Sequence, residues 1–208
     1  YSTEVQLPTA DDLGNHNHVW VETRDVDVSS KDYRSADLFA GAGGFTQGLE
    51  WAGFRPVLAV ERADLGIRGE RTFRYNFPET WMHDRGIETL SNRQIISGLG
   101  NERPHVIVGG PPCQTYSRSG RRDPTDTRGY LYRQFLRVVE VSRPELLVIE
   151  NVPDIISFET EDGRVINDIV QRLHQFGYAV SVLALNAAWY GAPQLRERTI
   201  IMANRLDL

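Results

Sequence analysis

The sequence predicts an α/β fold built on a doubly wound, mostly parallel sheet. Short apolar runs such as Val106-Ile107-Val108 and Leu146-Leu147-Val148-Ile149 are rich in β-branched residues and have the length of buried strands. Segments with helical spacing separate these runs along the chain. Such alternation of strands and helices is typical of a parallel sheet that carries helices on both faces.

The predicted elements begin with a strand, a glycine turn and a helix. The strand covers residues 36–39 and the helix covers residues 45–51. A second strand over residues 56–60 ends just before Glu61, and a polar helix follows it to residue 76. The remaining predicted elements are strands over 81–83 and 106–108, a helix over 130–141, a strand over 146–149, a helix over 168–176, and strands over 178–185 and 199–203.

Length and composition indicate one globular domain. The chain has 208 residues, of which 40% are hydrophobic, and no run approaches the roughly 18 apolar residues of a membrane span. Residues 1–34 are polar, and we predict them to be an N-terminal extension before a domain over residues 35–208. His16 and His18 have the spacing of a metal-binding pair, but no further ligands stand beside them, so we expect surface histidines and no metal site.

The net charge of the whole chain and the charge of one local segment point to different conclusions about nucleic-acid binding. A net charge of −5 argues against a protein that coats nucleic acid without specificity. Only one of the 23 basic residues is a lysine, a ratio that compositional bias of the genome explains equally well. Arginines nevertheless cluster shortly after residue 113, and guanidinium groups bind phosphates through two hydrogen bonds. The clustered residues are Arg118, Arg121, Arg122 and Arg128.

The only cysteine of the chain, Cys113, follows the rigid segment Gly109-Gly110-Pro111-Pro112 at the predicted end of a strand. A single cysteine excludes an internal disulfide and is compatible with a catalytic thiolate, which needs a lowered pKa or a proton acceptor. Gln114, Ser117 and Ser119 place hydrogen-bonding groups on the loop that follows. A buried cysteine in a proline turn is the alternative interpretation of this motif taken alone.

The glycine turn after the first strand has the features of a cofactor site. Its residues Gly41-Ala42-Gly43-Gly44 allow a ligand to approach the backbone closely. Glu61 ends the next strand, 20 residues after Gly41, and its two oxygens suit a ribose diol. Together the two features predict a cofactor that contains adenosine. A tight turn and a solvated glutamate are the alternative for either feature alone.

Two later segments carry further candidate residues. Glu150 follows the predicted strand over residues 146–149, where it can act as an acid or hydrogen-bond a base; a cap for the next segment is the alternative. Gln194, Arg196 and Arg198 share one face if their segment is extended. Two guanidinium groups on one face would bind anions, although surface salt bridges explain them equally well.

The order of these motifs closely resembles that of the cytosine-C5 DNA methyltransferases, over residues 35–203. The matching segments are Asp37 to Phe45, Glu61, Asp84, Pro111-Pro112-Cys113-Gln114, Asp126 to Leu131, Glu150-Asn151-Val152 and Gln194-Leu195-Arg196-Glu197-Arg198.

The resemblance implies a Rossmann-like, S-adenosylmethionine-dependent methyltransferase fold and transfer of a methyl group to carbon 5 of a cytosine flipped out of DNA, with S-adenosylhomocysteine as product. Cys113 would add to carbon 6 of the base. Glu150 would hydrogen-bond the base, and Arg198 would contact its carbonyl and position Glu150. These three residues are the expected catalytic groups.

The resemblance also assigns binding residues. Expected cofactor contacts are Phe39, Gly41, Gly43, Gly44, Glu61, Asp84, Pro112 and Leu131. Expected contacts to DNA are Gln114, Ser117, Ser119 and Arg196, with the loop over residues 114–122 closing over the base.

The same resemblance sets expectations about partners. Double-stranded DNA is the expected substrate, in a restriction-modification, defence or epigenetic setting. Residues 35–208 contain neither a target-recognition domain nor the last motifs of the family, so a second subunit or a C-terminal portion is expected to supply them. We expect a cytoplasmic or nucleoid location in a bacterium and a nuclear one in a eukaryote. A tRNA cytosine-C5 methyltransferase and a non-catalytic binding module are the alternatives.

Overall fold

The computed structural model describes residues 32–63, 69–112, 130–160 and 163–205. The strands in these residues are β1 (Arg34–Leu38), β2 (Arg55–Val60), β3 (Trp81–His83), β4 (Val106–Gly109), β5 (Leu146–Asn151), β6 (Glu159–Thr160), β7 (Gly163–Arg164), β8 (Tyr178–Asn186) and β9 (Glu197–Arg205). The α-helices are α1 (Gly44–Trp51), α2 (Gly69–Asn76), α3 (Asn92–Gly98), α4 (Leu131–Ser142) and α5 (Val165–Gln175). Short 3-10 helices cover Ile87–Thr89, Pro153–Ile156 and Ala187–Tyr190.

Seven of these strands form one sheet in the order β3-β2-β1-β4-β5-β9-β8. The first five strands of that order are parallel to one another, whereas β9 runs antiparallel to both β5 and β8. The predicted fold class, a doubly wound and mostly parallel sheet, is therefore confirmed. No helix among the described residues is long and apolar enough to cross a bilayer.

The strand order reverses direction at β1, which lies between β2 and β4. Ligands of open α/β sheets bind at the carboxyl edge beside such a switch point. The glycine turn leaves β1 at this edge, and the proline segment leaves β4 beside it. The two strands approach each other so closely that a Cβ atom on Gly109 would collide with the carbonyl oxygen of Leu38. Only glycine fits there.

The helices cover the two faces of the sheet unequally. Thr46 of α1 hydrogen-bonds Asp37 of β1, so α1 lies on the face to which Asp37 points. Phe135 of α4 lies against Gly109, on the opposite face, and α5 packs beside α4 and over β8. On that second face the core residues Ile107, Leu147 and Ile201 are fully buried. Burial of each such side chain contributes about 1.5–3 kcal/mol to folding.

On the face to which Asp37 points, strands β5, β9 and β8 are less covered by other elements. Strand register places Val148 opposite Met202, and Leu183 opposite Ile200, on the face that also carries Glu150. Leu183 and Met202 are 40% and 37% exposed, and Val148 and Ile200 are only partly buried. Among the described residues this half of the sheet therefore presents an apolar surface, which we call the open face.

Most predicted elements agree with the structure to within a few residues; the short strands β6 and β7 were not predicted, and the main other differences concern β5, β9 and α3. Strand β5 extends to Asn151, so Glu150 lies inside the strand and not after it. Strand β9 begins at Glu197, two residues earlier than predicted. Helix α3 is absent from the sequence-based prediction, although Ser91 and Gln94 form a capping box that indicates its start.

Candidate active site

The glycine turn begins with a strained residue. Phe39 follows β1 with a φ of +67°, a left-handed conformation that is uncommon for residues other than glycine and that clusters at functional sites. The amides of Phe39 and Ala40 both donate to the carbonyl oxygen of Val60, at 2.9 and 3.0 Å. These two hydrogen bonds tie the start of the turn to the end of β2.

Glu61, directly after β2, is bound to the same turn. Its Oε2 accepts a hydrogen bond from the Gly41 amide at 2.7 Å. Gly41 has a φ of +55°, and a Cβ atom on it would meet nothing within 4 Å. Open space therefore adjoins a glycine and a carboxylate at the carboxyl edge of the sheet. This carboxylate beside open space fits the ribose of an adenosine cofactor, because a carboxylate accepts hydrogen bonds from two hydroxyls.

The next two glycines differ in their surroundings. Gly43 has a φ of +94°, and a Cβ atom on it would lie 2.5 Å from Cε2 of Phe77. Phe77 packs with Phe73 under the turn, at a ring distance of 4.9 Å. Gly44 opens α1 with no atom near its missing Cβ. Gly43 is thus required by packing, whereas Gly41 and Gly44 border open space.

Asp84 lies just after β3, at the same edge as Glu61. Its Oδ2 accepts a hydrogen bond from Nη2 of Arg74 at 3.0 Å, and both side chains are about half exposed. Exposed ion pairs of this kind contribute little to stability. A carboxylate has about four acceptor positions, so the pair with Arg74 is compatible with a second donor such as an adenine amine.

Asp37, at the end of β1, is a buried carboxyl group that supports the turn from below. Its Oδ2 accepts a hydrogen bond from the Thr46 hydroxyl at 2.7 Å, and the Thr46 amide also donates to it. Burial raises the pKa of Asp37 to about 7, an effect that the Thr46 hydrogen bonds oppose and the charge of Glu61 reinforces. Because Gly43 has no side chain to cap α1, Asp37 performs that capping function from the strand.

The proline segment after β4 is held by β5. The side-chain amide of Asn151 donates to the carbonyl oxygen of Pro111 at 3.2 Å, and its Oδ1 accepts from the Val152 amide at 2.9 Å. Asn151 is buried. Pro112, the last described residue of the segment, is partly buried. Cys113 lies outside the described residues, as do Gln114, Ser117 and Ser119.

Glu150 and Arg198 form an ion pair at the end of the sheet nearest this segment. Nε of Arg198 lies 2.8 Å from Oε1 of Glu150, and both side chains are about three-quarters buried. Nη1 of Arg198 donates to the carbonyl oxygen of Glu197 at 2.6 Å. A Cβ atom on Gly110 would lie 3.2 Å from Oε2 of Glu150, so the backbone at Gly110 approaches this carboxylate closely.

The remaining predicted residues differ in burial. Leu131 is the first residue of α4 and is partly buried. Gln194 and Arg196 precede β9 and are exposed. The predicted shared face of Gln194, Arg196 and Arg198 required an extended segment. That condition is not met at Gln194, whose amide donates to the Ala192 carbonyl oxygen at 2.8 Å, and of the three only Arg198 belongs to β9. The turn that precedes β9 interrupts the alternation.

Three residues of the site were not among the predicted contacts: Asp37, Gly110 and Asn151. Asn151 has a signal in the sequence, since a polar residue beside Glu150 in a strand must find a buried partner. Asp37 contacts Thr46, nine residues along the chain, whereas the role of Gly110 depends on its approach to Glu150, which is 40 residues away. In the described part of the chain, no three histidine, cysteine or acidic side chains are arranged to hold a metal ion.

Comparison with known proteins identifies the family of this chain. A family model described as C-5 cytosine-specific DNA methylase matches residues 33–208. Two similar curated relatives are the type II methyltransferases M1.HphI of Haemophilus parahaemolyticus, with 36% identity over 81% of this chain and 45% of its own length, and M.AquIA of Picosynechococcus, with 37% identity over 81% of this chain and 71% of its own.

A solved structure agrees with these relatives. A putative DNA modification methyltransferase encoded within an E. coli prophage superposes with a TM-score of 0.72 and 28% identity, over 85% of this chain and 47% of that one. The chain spans 38% to 45% of the length of M1.HphI and of two further type II methyltransferases, M.DdeI and M.AgeI, but 71% of M.AquIA.

Proposed function

Because this chain belongs to the cytosine-C5 DNA methylase family, we propose that it carries the catalytic residues of an enzyme that methylates carbon 5 of cytosine in DNA through a covalent bond to Cys113. The observation that supports this most is the Glu150–Arg198 pair, 2.8 Å apart, beside the proline segment that leads to Cys113. The glycine turn lies across the switch point from that segment.

Carbon 5 of cytosine is too weak a nucleophile to react unaided. The Cys113 thiolate adds to carbon 6, and the ring electrons displaced by the new S–C bond make carbon 5 nucleophilic. Glu150 hydrogen-bonds the N3 side of the base and stabilises the electron density that moves there. Arg198 holds the Glu150 carboxylate through Nε, which fixes its direction before the base arrives.

The reaction ends with the reverse of the addition. Once carbon 5 carries its methyl group, loss of the proton on that carbon supplies the electron pair that re-forms the C5–C6 double bond. Cys113 leaves as a thiolate. The base must expose both faces for this sequence, and we therefore infer that the target cytosine is flipped out of the duplex.

S-adenosylmethionine, when bound, supplies an electrophilic methyl group on a sulfonium centre. We assign its ribose to Glu61, whose Oε2 is oriented by the Gly41 amide. Phe39 would contact the adenine ring and Asp84 its amine, while the open space at Gly41 would admit the methionine portion. Gly44, Pro112 and Leu131 complete this set. The glycine turn serves close approach and not phosphate binding, because this cofactor has no phosphate.

Recognition of the DNA sequence is assigned to polypeptide outside residues 35–208, either a C-terminal portion or a second subunit. The fraction of the curated relatives that the chain spans supports this, as does the open face. Apolar side chains grouped on an exposed sheet face are typical of an interaction surface. We assign the open face to that additional polypeptide. By itself, this chain is expected to methylate DNA weakly or not at all.

Covalent trapping tests the proposal. The complete enzyme, with its recognition portion, is incubated with duplex DNA that contains 5-fluorocytosine and with S-adenosylmethionine. Fluorine cannot leave as a proton, so a stable protein–DNA adduct should accumulate. Cys113→Ser should abolish the adduct, whereas Ser97→Ala, an exposed change in α3, should leave it intact. An adduct that survives Cys113→Ser would contradict the role of the thiol.

A second pair of variants tests the ion pair. Glu150→Gln should lower the rate of methyl transfer by about 10²–10⁴-fold, the range that a positioned acid contributes. Glu197→Gln changes a neighbouring exposed glutamate and should have little effect.

The identity of the substrate is tested by assays on duplex DNA and on tRNA, run in parallel. Methylation of tRNA alone would overturn the assignment of DNA as the substrate.

A further inference from the structure

The connection between β8 and β9 lies at the catalytic edge of the sheet. It starts with the 3-10 helix Ala187–Tyr190, which ends at Gly191 with a φ of +86°, and it reaches β9 at Glu197. Because β9 runs antiparallel to β5, the first residues of β9 lie beside the last residues of β5. The geometry of this connection therefore determines where Arg198 enters the site.

One buried side chain joins the two ends of the connection. Asn186, the last residue of β8, is 7% exposed. Its Oδ1 accepts hydrogen bonds from the Ala188 amide at 3.1 Å and from the Arg196 amide at 3.2 Å. The Ala187 amide adds a bond of 2.9 Å to the Arg196 carbonyl oxygen. Asn186 thus closes the loop at the first rung of the β8–β9 ladder.

Arg198 follows this rung immediately. It pairs with Leu185 in the ladder, and its Nε reaches Glu150 from there. Side chains alternate between the faces of a strand, so a slip of one residue would turn Arg198 away from Glu150. A guanidinium group must also be oriented toward a carboxylate to bind it well. A strand end without fixed hydrogen bonds would not hold the Arg198 side chain in that orientation.

We propose that Asn186 is a positioning residue, whose carboxamide oxygen sets the register at which Arg198 meets Glu150. This inference rests on the proposed function, in which Glu150 and Arg198 act on the cytosine. Asn186 itself does not touch the base. It acts by holding the Ala188 and Arg196 amides, and a carboxylate oxygen at the same position would perform the same task.

The test compares five variants of the complete enzyme, four single and one double. Asn186→Ala removes the acceptor, and Asn186→Asp keeps it. Tyr178→Phe is the matched control, because it removes a buried hydrogen bond of 2.7 Å to the Pro144 carbonyl oxygen at the far end of the same strand. Arg198→Met, alone and combined with Asn186→Ala, completes a double-mutant cycle. If Asn186→Ala does not fold, Asn186→Ser, whose shorter side chain cannot span both amides, replaces it.

Single-turnover methylation and steady-state kinetics provide the first measurement. Asn186→Ala should lower kcat by about 10-fold or more with KM for DNA and cofactor nearly unchanged, as expected for a misplaced catalytic group. Asn186→Asp should restore most of the rate, and Tyr178→Phe should lower thermal stability without lowering kcat. In the Arg198→Met background, Asn186→Ala should cause no further loss. An equal loss in both backgrounds would overturn the proposal.

A second measurement does not depend on activity. The Nε–H proton of Arg198, assigned in NMR spectra by its disappearance in Arg198→Met, should exchange slowly with solvent in the unmodified protein. Asn186→Ala should accelerate this exchange and Tyr178→Phe should not. Slow exchange retained in Asn186→Ala would overturn the positioning role. Accelerated exchange in a protein that methylates no DNA would instead overturn the proposed function and leave the structural link intact.

Discussion

The side-chain amide of Asn151 donates to the carbonyl oxygen of Pro111, 3.2 Å away, and so joins the end of β5 to the segment that leads to Cys113. Both groups are buried, which makes the loss of either one costly. The hydrogen bond places the strand that carries Glu150 and the segment that precedes the thiol in one fixed arrangement.

Replacement of Asn151 should therefore slow formation of the covalent adduct. Asn151→Ala leaves a buried carbonyl and a backbone amide without their partner, at a cost of about 1–3 kcal/mol of stability. Asn151→Asp keeps the acceptor for the Val152 amide but loses the donor to Pro111, so it separates the two contacts. We expect both variants to trap 5-fluorocytosine DNA more slowly. Asn167→Ala, an exposed change on α5, should trap it at the normal rate.

Gly110→Ala should impair activity more than stability. The new Cβ atom would lie 3.2 Å from Oε2 of Glu150, whose side chain is held by Arg198 and can retreat only by weakening that pair. We expect a rate of methyl transfer lower by about 10-fold or more. Gly48→Ala, in the middle of α1 with nothing near the new Cβ, should keep full activity and gain up to about 1 kcal/mol of stability. Equal activity of both variants would contradict the close approach at Gly110.

Gly41 and Gly43 of the turn should respond differently to replacement by alanine. In Gly43→Ala the new Cβ atom would lie 2.5 Å from Phe77, so we expect a loss of about 1–3 kcal/mol from overpacking in addition to backbone strain. In Gly41→Ala nothing crowds the new atom, and the cost to folding is limited to the strain of φ at +55°. Urea unfolding checks this difference.

The same two variants should show the reverse order when the complete enzyme binds S-adenosylmethionine, which calorimetry measures: Gly41→Ala should lower the affinity more than Gly43→Ala. Gly41→Ala places a methyl group in the open space that we assign to the cofactor, and it should weaken binding strongly relative to its small effect on folding. Unchanged affinity in Gly41→Ala would show that the cofactor does not use this space.

Asp37 should make stability depend on pH between about 4 and 7. Its pKa is raised from 3.8 to about 7 in the folded protein, so in this range the folded state binds a proton that the unfolded state releases. The contribution of Asp37 to stability therefore falls as pH rises, and it is constant above about pH 7. Asp37→Asn cannot ionise. The stability of the variant relative to the unmodified protein should rise by up to about 1.4 kcal/mol per pH unit across this range.

Asp168 should change the pH dependence of stability in the direction opposite to Asp37, and so provides a control. Burial tends to raise the pKa of its carboxyl group, but hydrogen bonds from Tyr132 and Arg172, with the charges of Arg172 and Arg133, bring it below its ordinary value. Its contribution to stability is present above the unfolded pKa and is lost as pH falls through the folded value. Asp168→Asn should therefore lose stability relative to the unmodified protein as pH rises from strongly acidic values. Parallel pH curves for Asp37→Asn and the unmodified protein would contradict the raised pKa of Asp37.

The sequence predicted most of the parallel strands because a strand buried on both faces is a short apolar run with clear boundaries. The helix after β3 was harder to predict, since α3 has seven residues and its only strong signal is the capping box of Ser91 and Gln94. The ends of β5 and β9 were predicted too short. The last residues of β5 and the first residues of β9 are polar members of the site, and tertiary contacts, not hydrophobicity, keep them in the strands.

By itself the sequence determined the fold class, the family and the order of the candidate residues, because these depend on residue type and spacing along the chain. Only the tertiary structure decided which of those residues meet. The contacts of Arg198 with Glu150, Asn151 with Pro111, and Gly41 with Glu61 join residues that are 20 to 48 positions apart. Contacts of that kind follow from the strand order and register of the sheet. Periodicity along the chain predicts that the strands exist, but it does not specify which atoms approach each other when they pair.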